Sequence, residues 1–487
     1  MHSTRHVLRQ RAVLVTGVRT PFVKSFGALM KADTLQLASA SVAGLLNKTS
    51  LDPNEIDHIV WGNVVLQGNA HNCAREIVID LNLPKKITGN LTSMACASGL
   101  SSLAQACMLV EGGHADVVIA GGSDSVSNAE VPLPRSVTHG MMMAQKKGIM
   151  GFFKEAGYNP SKWFPSGVAL TERSTGKTMG WHGDVIAELN NISRKDQEAL
   201  AVTSHANAVL AERAGYFKDE VVPVTVDKGG RKTEVMRDDV LQRDTDKMKG
   251  KMPTLKPTFR KDKGTITAAT SSTLTDGGSA MLVMSEEKAK KLGYQTDVSV
   301  KSCYFSGIDP YPQLLLAPVL GWGPALKRAC LTPKDIDLYE IHEAFAAQVL
   351  ATIKCLRSQE FFNRYASGSK PVLTEDIDRS KLNVNGGSLA LGHPFAATGG
   401  RIVTSLANEL RRSGKRHGLV SICAAGGLGG VAILEHTPSG RITIDVFAVL
   451  VSLLWYCRSP YTRHCISLSL TFHSTLFSVE SVSARMI

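Results

Sequence analysis

The segment Thr92-Ser93-Met94-Ala95-Cys96-Ala97-Ser98-Gly99-Leu100 decides how this chain is read. Before it, Lys86 to Leu91 carries the alternation of a strand; after it, the Ala-, Ser-, Leu- and Met-rich run to Val110 reads as a buried helix. Cys96 therefore falls at the first turn of a helix that follows a strand. Free backbone N–H groups and the positive end of the helix dipole favour thiolate there. The competing reading is a core thiol, since free cysteine is among the most buried residue types.

Three further segments bear on that choice. They are Ile341-His342-Glu343-Ala344-Phe345, after the run Ile336-Asp337-Leu338-Tyr339; Asn385-Gly386-Gly387-Ser388-Leu389-Ala390-Leu391-Gly392-His393-Pro394; and Ile422-Cys423-Ala424-Ala425-Gly426-Gly427-Leu428-Gly429-Gly430. Each puts a reactive side chain beside glycine or small residues at the end of an apolar run, where backbone and substrate can approach closely. One such histidine or cysteine would say little. Four in one chain point to a shared reactive site.

Size, charge and cysteine usage narrow the class. A chain of 487 residues exceeds one small core and predicts two or three domains. With 43% hydrophobic and 20% charged residues, its composition is that of a soluble globular protein. Its nine cysteines are unevenly spaced with no Cys-x-x-Cys pair, which argues against a disulfide framework or a zinc site and for a reducing compartment. Cys73, Cys107, Cys303, Cys330 and Cys355 read as core or incidental thiols. The net charge of +12 owes much to Lys228–Lys263, with twelve Lys/Arg against six Asp/Glu. Such a run is usually a solvated face, and a basic surface can also steer an anionic ligand. No basic stretch is interleaved with aromatics and no nucleic-acid motif occurs, so nucleic acid is not expected as a partner.

Strands alternating with longer amphipathic stretches predict an α/β fold with both sheet faces covered. Two halves share a layout. One runs from strand Ala12–Val15 through the Cys96 helix to Asp116–Ala120, ending in Gly121-Gly122. The other runs from Val298–Ser302 to Gly418–Ile422, with Gly426-Gly427 beyond it. Between about 131 and 263 the composition shifts to Pro, Lys and the run Met141-Met142-Met143. In that stretch Met150, Phe152, Phe153, Trp163 and Phe164 lie among Lys146, Lys147, Lys154 and Lys162. A stretch of this kind suits a membrane surface, and equally the wall of an apolar tunnel. The first eleven residues hold Arg5, Arg9 and Arg11 and no acid, as the end of a mitochondrial transit peptide does. Residues 438–487 contain no Lys, many Ser and the apolar run Val446–Cys457, too short to read as a transmembrane helix. This tail reads as an atypical, disordered extension.

The four reactive segments resemble those of the thiolases: a nucleophilic-Cys motif, an (Asn or His)-Glu-Ala-Phe motif, a Gly-His-Pro motif, and a Cys before a Gly-rich turn. The resemblance spans about Ala12 to His436. His342, where most thiolases have Asn, resembles the β subunit of the mitochondrial trifunctional enzyme and its bacterial relatives. Gly17-Val18-Arg19-Thr20-Pro21-Phe22 and Leu274-Thr275-Asp276-Gly277-Gly278-Ser279-Ala280-Met281 match the same subfamily.

The resemblance implies a thiolase fold, two similar halves forming a five-layer αβαβα sandwich. The domains it implies are a basic segment 1–11, an N-terminal half 12–296 with a loop domain inserted at about 131–263, a C-terminal half 297–437, and the tail. It implies a 3-ketoacyl-CoA thiolase of fatty-acid β-oxidation, with acetoacetyl-CoA thiolase in the synthetic direction as the alternative. No cofactor is bound permanently; coenzyme A is a co-substrate.

In that scheme Cys96 is the nucleophile, His393 its base, and Cys423 the acid/base for the enolate and for the CoA thiol. His393 and a water held by His342 bind the thioester oxyanion. The backbone N–H groups of Cys96 and Ala425 bind the second oxyanion. Glu343 is a candidate to orient His342, or else a structural carboxylate. Ser272 matches the position that contacts the pantetheine arm, with Ala269-Thr270 in place of the usual Gly-Asn or Ala-Asn. Arg243 is a candidate contact for the CoA phosphates. Expected partners are a second copy or more of the chain, a hydratase/dehydrogenase α subunit, and a membrane surface, in the mitochondrial matrix or at the inner membrane.

Overall fold

Val117-Val118-Ile119-Ala120 is apolar at every position because the strand it forms is covered on both faces. The computed structural model describes residues 10–68, 70–165 and 171–438. The strands are β1 Ala12–Arg19, β2 Val23–Lys24, β3 His58–Gly62, β4 Thr88–Thr92, β5 Val117–Asp124, β6 Val224–Lys228, β7 Arg231–Val235, β8 Thr275–Ser285, β9 Val298–Gly307, β10 Leu338–Ile341, β11 His417–Ala424 and β12 Leu428–His436. All but the β6–β7 hairpin belong to one ten-stranded sheet, ordered β10-β11-β12-β9-β1-β8-β5-β3-β4, with β2 on β8.

The two halves repeat. In the first, β3 lies parallel to β5, β5 antiparallel to β8, and β8 antiparallel to β1. In the second, β10 lies parallel to β11, β11 antiparallel to β12, and β12 antiparallel to β9. The halves join where Val13 of β1 faces Ser299 of β9.

Period-two alternation sends neighbouring residues to different layers. Val13, Ile59, Trp61 and Leu282 pack on the helices Thr34–Thr49 and Cys73–Asp80. Leu14, Val60, Val118, Val420, Ile422 and Leu434 enclose the helices Ser98–Glu111 and Ala396–Ser413. Tyr339, Leu419 and Val431 pack on the helices Ala317–Ala329 and Ala346–Cys355. Helix, sheet, helix, sheet, helix: these are the five layers. The buried indoles of Trp61 and Trp322 donate to Ser123 Oγ and Ser421 Oγ, each at 3.0 Å, as buried Trp N–H groups require.

Gly121-Gly122 does not end its strand. Both glycines lie inside β5, where a Cβ on Gly121 would stand 2.4 Å from the Trp61 ring. Closeness of packing, not a turn, calls for glycine here. The segment between β5 and β8 holds the helical stretch Arg135–Ala156, broken into two helices at Gly148 (φ 67), the helices Met179–Leu189 and Arg194–Arg213, the β6–β7 hairpin and the helix Thr245–Lys251. Arg19, fully buried, anchors this segment to β1 through paired bonds of 2.7 and 2.8 Å to Asp238. Of the N-terminal segment, residues 1–9 lie outside the described residues, as does the tail from 439 onward. No helix among the described residues is long and apolar enough to cross a membrane.

Candidate active site

Four reactive segments far apart in the chain, three of them flanked by glycine, meet at the ends of the two central helices. Gly99, at the start of the Ser98–Glu111 helix, lets the start of the other central helix come close: a Cβ there would stand 2.4 Å from the carbonyl oxygen of Ala396. This approach brings Cys96 to His393. Cys96 occupies a tight turn between β4 and the helix, with Ala95 at φ 47 and Ser98 Oγ accepting from the N–H of Met94. His393 precedes the Ala396–Ser413 helix and is pinned by its own N–H to Thr273 O at 3.0 Å. Its Nε2 lies 3.1 Å from Cys96 Sγ, and its Nδ1 lies 2.6 Å from Thr398 Oγ1. His342 extends β10, bonding Ser421 O at 2.8 Å. Its ring centroid lies 4.2 Å from that of His393. Cys423 is buried near the end of β11.

Cys96, His393, Cys423, Ala425 and Ser272 line one cavity of about 260 Å³. Its other walls include Met179, Phe259, Leu315, Phe345 and Phe395, so it is largely apolar, as small-molecule sites are. Thr178, Met179, Gly180 and Phe259 come from the segment between β5 and β8, which supplies part of the cavity wall. A larger, open groove of about 540 Å³ lies elsewhere, and none of its lining side chains is a thiol or an imidazole.

Burial decides the electrostatics. It pushes the thiol of Cys96, a residue only half-buried as a whole but with its sulfur turned inward, up to about 12, although the N–H groups of Ala425 and of Cys96 itself bond the sulfur and oppose the shift. It pulls the His393 imidazole down to about 3, and the Arg401 charge adds to this. The resting pair is therefore neutral, S–H beside imidazole. This corrects the expectation of a resting thiolate. The helix begins two residues later, at Ser98, and a helix terminus contributes only about 0.3–1 kcal/mol, less than about one pH unit. Burial outweighs it. Cys423 is likewise raised by burial, then by the proximity of Cys96. The two amides that address Cys96 Sγ are those expected to bind an oxyanion.

Two expected contacts are arranged differently. Glu343 does not orient His342. Its carboxylate accepts from Ser204 Oγ (2.7 Å), Asn383 Nδ2 (2.6 Å) and the Leu389 N–H (3.1 Å), so it is a structural carboxylate that ties three segments together. His342 Nδ1 instead meets Ser388 Oγ at 2.9 Å. Arg243 is not among the cavity-lining residues; it forms a two-point pair with Glu212, at 2.6 and 2.8 Å. Ser272 lines the cavity with its hydroxyl donated to Ala344 O at 3.1 Å.

Other positioning groups carry no motif of their own. Asp124, fully buried, accepts from Asn63 Nδ2 and from the N–H groups of Val64, Val65 and Ala396, holding the turn after His393 against β5. Glu172 accepts the Gly426 N–H at 2.9 Å and braces the turn that carries Ala425. Cys96, His342 and His393 also set three donor atoms within 4.8 Å of one another. A soft divalent cation such as zinc could use that spacing, at the expense of the Cys–His pair.

Comparison with known proteins agrees with this geometry. Residues 12–287 match the family model of the thiolase N-terminal domain, and residues 294–436 that of the thiolase C-terminal domain. A 3-ketoacyl-CoA thiolase of Shewanella woodyi is 39% identical over 429 residues, covering 87% of this chain and 97% of the relative. One from Colwellia psychrerythraea is 39% identical over 88% of this chain and 97% of its own. Among solved structures, the human mitochondrial 3-ketoacyl-CoA thiolase superposes with a TM-score of 0.75 at 30% identity, covering 88% of this chain and all (100%) of the neighbour. The acetyl-CoA acetyltransferase of Bacillus anthracis gives 0.76 at 29%, with the same coverage. A reactive thiol paired with a histidine, a second thiol in the same cavity and two matching domain models along the chain together place this protein in the thiolase family.

Proposed function

We propose that the chain is a 3-ketoacyl-CoA thiolase, cleaving 3-oxoacyl-CoA with coenzyme A to acetyl-CoA and a shortened acyl-CoA. The observation that carries this reading is a second thiol, Cys423, in the cavity where His393 Nε2 stands 3.1 Å from Cys96 Sγ. A decarboxylating ketoacyl synthase would need the first thiol but not the second. Cys96 gives its proton to His393 as its sulfur bonds C3 of the substrate. The C2–C3 bond then breaks and its electron pair passes to the acetyl-CoA enolate, which takes the Cys423 proton at C2. The resulting Cys423 thiolate removes the proton of incoming CoA. The CoA sulfur attacks the acyl-Cys96 thioester, and the departing Cys96 recovers its proton from His393. The N–H groups of Cys96 and Ala425, with His342 and His393, are the donors for the two oxyanions.

The finer reading is a long-chain enzyme of mitochondrial β-oxidation, assembled as a dimer or larger with a hydratase/dehydrogenase α subunit. His342 in the Asn position, the basic first residues and the surface of the Arg135–Ala156 segment, two helices that turn at Gly148, support it. That surface exposes Met141, Met142, Ile149 and Met150, with Phe164 beyond, beside Lys146, Lys147 and Lys154. Apolar side chains flanked by lysine suit an anionic membrane interface. Activity on a sixteen-carbon 3-oxoacyl-CoA is therefore expected to equal or exceed that on the four-carbon substrate across a chain-length ladder. Strict preference for acetoacetyl-CoA would instead support the synthetic acetyltransferase reading. Binding to cardiolipin-containing vesicles is expected to be salt-sensitive and to weaken when Lys146, Lys147 and Lys154 become Glu. Binding indifferent to that charge reversal would remove the membrane contact.

A further inference from the structure

The thiolase reading gives His342 a donor's role but does not say what makes it a donor. A neutral imidazole carries one N–H, on either nitrogen, and only a proton on the nitrogen that faces the reacting atoms can stabilise an oxyanion. The surroundings of this ring are complete enough to assign it. His342 and Ser388 are both fully buried. His342 Nδ1 lies 2.9 Å from Ser388 Oγ, while Nε2 is buried with no hydrogen-bond partner. His342 is not among the residues that line the cavity, but one of its ring nitrogens lies within 4.8 Å of Cys96 Sγ and of a His393 nitrogen, and with Nδ1 taken by Ser388 the nitrogen left to address the thiol is Nε2.

Ser388 Oγ has a second neighbour, the Nη2 of Arg401, at 2.8 Å. Arg401 is itself buried, with Glu340 at 3.6 Å from its Nη1. A guanidinium only donates, so Arg401 occupies a lone pair of Ser388 Oγ. The serine proton must then go to an acceptor, and among the described residues His342 Nδ1 is the acceptor the hydroxyl meets. The opposite arrangement has Nδ1–H donating to an oxygen that already accepts from Arg401. It would leave the serine proton buried without a partner and turn a lone pair of Nε2 toward the sulfur. In the resting site Nε2 lacks a partner in either tautomer, so the two differ by the stranded serine proton, and a buried unmade hydrogen bond costs about 1–3 kcal/mol. Burial foremost, then the competing His393 ring and the Arg401 charge, holds the His342 ring well below its usual range and so neutral.

We propose that Ser388 and Arg401 are positioning residues that fix His342 in its Nε2–H tautomer, so that a single N–H points at the reacting carbonyl oxygen, directly or through one water. The hydrogen bonds run Arg401, Ser388, His342, with Glu340 only an ion-pair neighbour of Arg401, and their end is an oxyanion donor. This arrangement makes histidine equivalent to the asparagine of other thiolases, whose amide presents N–H without any tautomer to choose. The inference rests on the thiolase reading for its kinetic consequence. The tautomer stands on geometry alone.

The test is a double-mutant cycle with Ser388→Ala and His342→Asn. In the parent enzyme Ser388→Ala is expected to lower kcat roughly tenfold to a hundredfold with KM little changed, somewhat less than outright loss of an oxyanion donor. In the His342→Asn background the same change is expected to alter kcat by less than about twofold, because the amide needs no tautomer. An equal loss in both backgrounds would overturn the proposal, as would no loss in the parent. The ring itself is read separately from nitrogen-15 shifts of histidine-labelled parent protein, with the His342 signal assigned by its absence from His342→Asn. Protonated Nε2 and bare Nδ1 are expected. A protonated Nδ1 sinks the proposal whether or not the protein cleaves any 3-oxoacyl-CoA, and whether or not the Ser388 variant folds.

Discussion

Cys96→Ser is expected to abolish carbon–carbon cleavage while leaving the melting temperature close to that of the parent. The exchange keeps the shape of the turn and its backbone bonds, so the fold has no reason to change. The chemistry has every reason to. Burial already raises the Cys96 thiol to about 12, and a serine hydroxyl in the same surroundings is far harder to ionise than a thiol. The base is no help, because His393 is held neutral and weakly basic, at about 3. With cysteine, the proton can pass to His393 as the sulfur attacks and the backbone N–H groups take up the developing charge. With serine, that step starts from a much poorer acid. Mixing the parent enzyme with substrate and mapping the acyl adduct by mass spectrometry should place it on Cys96 alone. An adduct on Cys423 would exchange the roles of the two thiols.

Cys423→Ala is expected to leave acylation of Cys96 by a simple thioester intact and to block both cleavage and formation of the carbon–carbon bond. Acylation needs only the nucleophile and its base. Breaking C2–C3 also needs a proton for the enolate, and Cys423 is suited to hold one. Burial, and after it the neighbouring Cys96, raises its thiol, so it rests as S–H and is a strong base once it has given the proton up. The same group can therefore protonate the enolate and then deprotonate CoA. A loss of roughly a hundred- to ten-thousand-fold in thiolysis is expected, the scale of removing a general acid–base group. Full thiolysis by the variant, measured as acetyl-CoA formed from a 3-oxoacyl-CoA, would exclude Cys423 from the proton path.

Much of this site was legible without coordinates, and the reason is local. Reactive side chains at the ends of apolar runs mark Cys96, His393 and Cys423 beside glycine and His342 beside small residues, because small residues are what close approach demands of the backbone. The α/β class follows just as directly from strands apolar at every position, such as Val117 to Ala120, which can exist only between two layers. Resemblance to the thiolases supplied the five layers, which no periodicity shows.

Other features are set by residues distant in the chain, and only the tertiary structure could decide them. Sequence neighbourhood offers Glu343 as the partner of His342. Yet β10 turns that carboxylate toward Ser204 and Asn383 and leaves the imidazole to Ser388. Arg243 lies in a basic run suited to phosphate, but Glu212, thirty-one positions away, takes its Nε and Nη2. The state of the nucleophile changed most. A thiol near a helix start promises thiolate on local grounds, but the largely apolar cavity that Met179 and Phe259 help to line takes the sulfur out of most of its water, and that is worth more than the end of a helix dipole. What the sequence determined is which atoms do the chemistry, since side-chain identity and glycine spacing are local. What the tertiary structure decided is their protonation, because that depends on which surfaces are dry and which donors face one another, and both are properties of the packed chain alone.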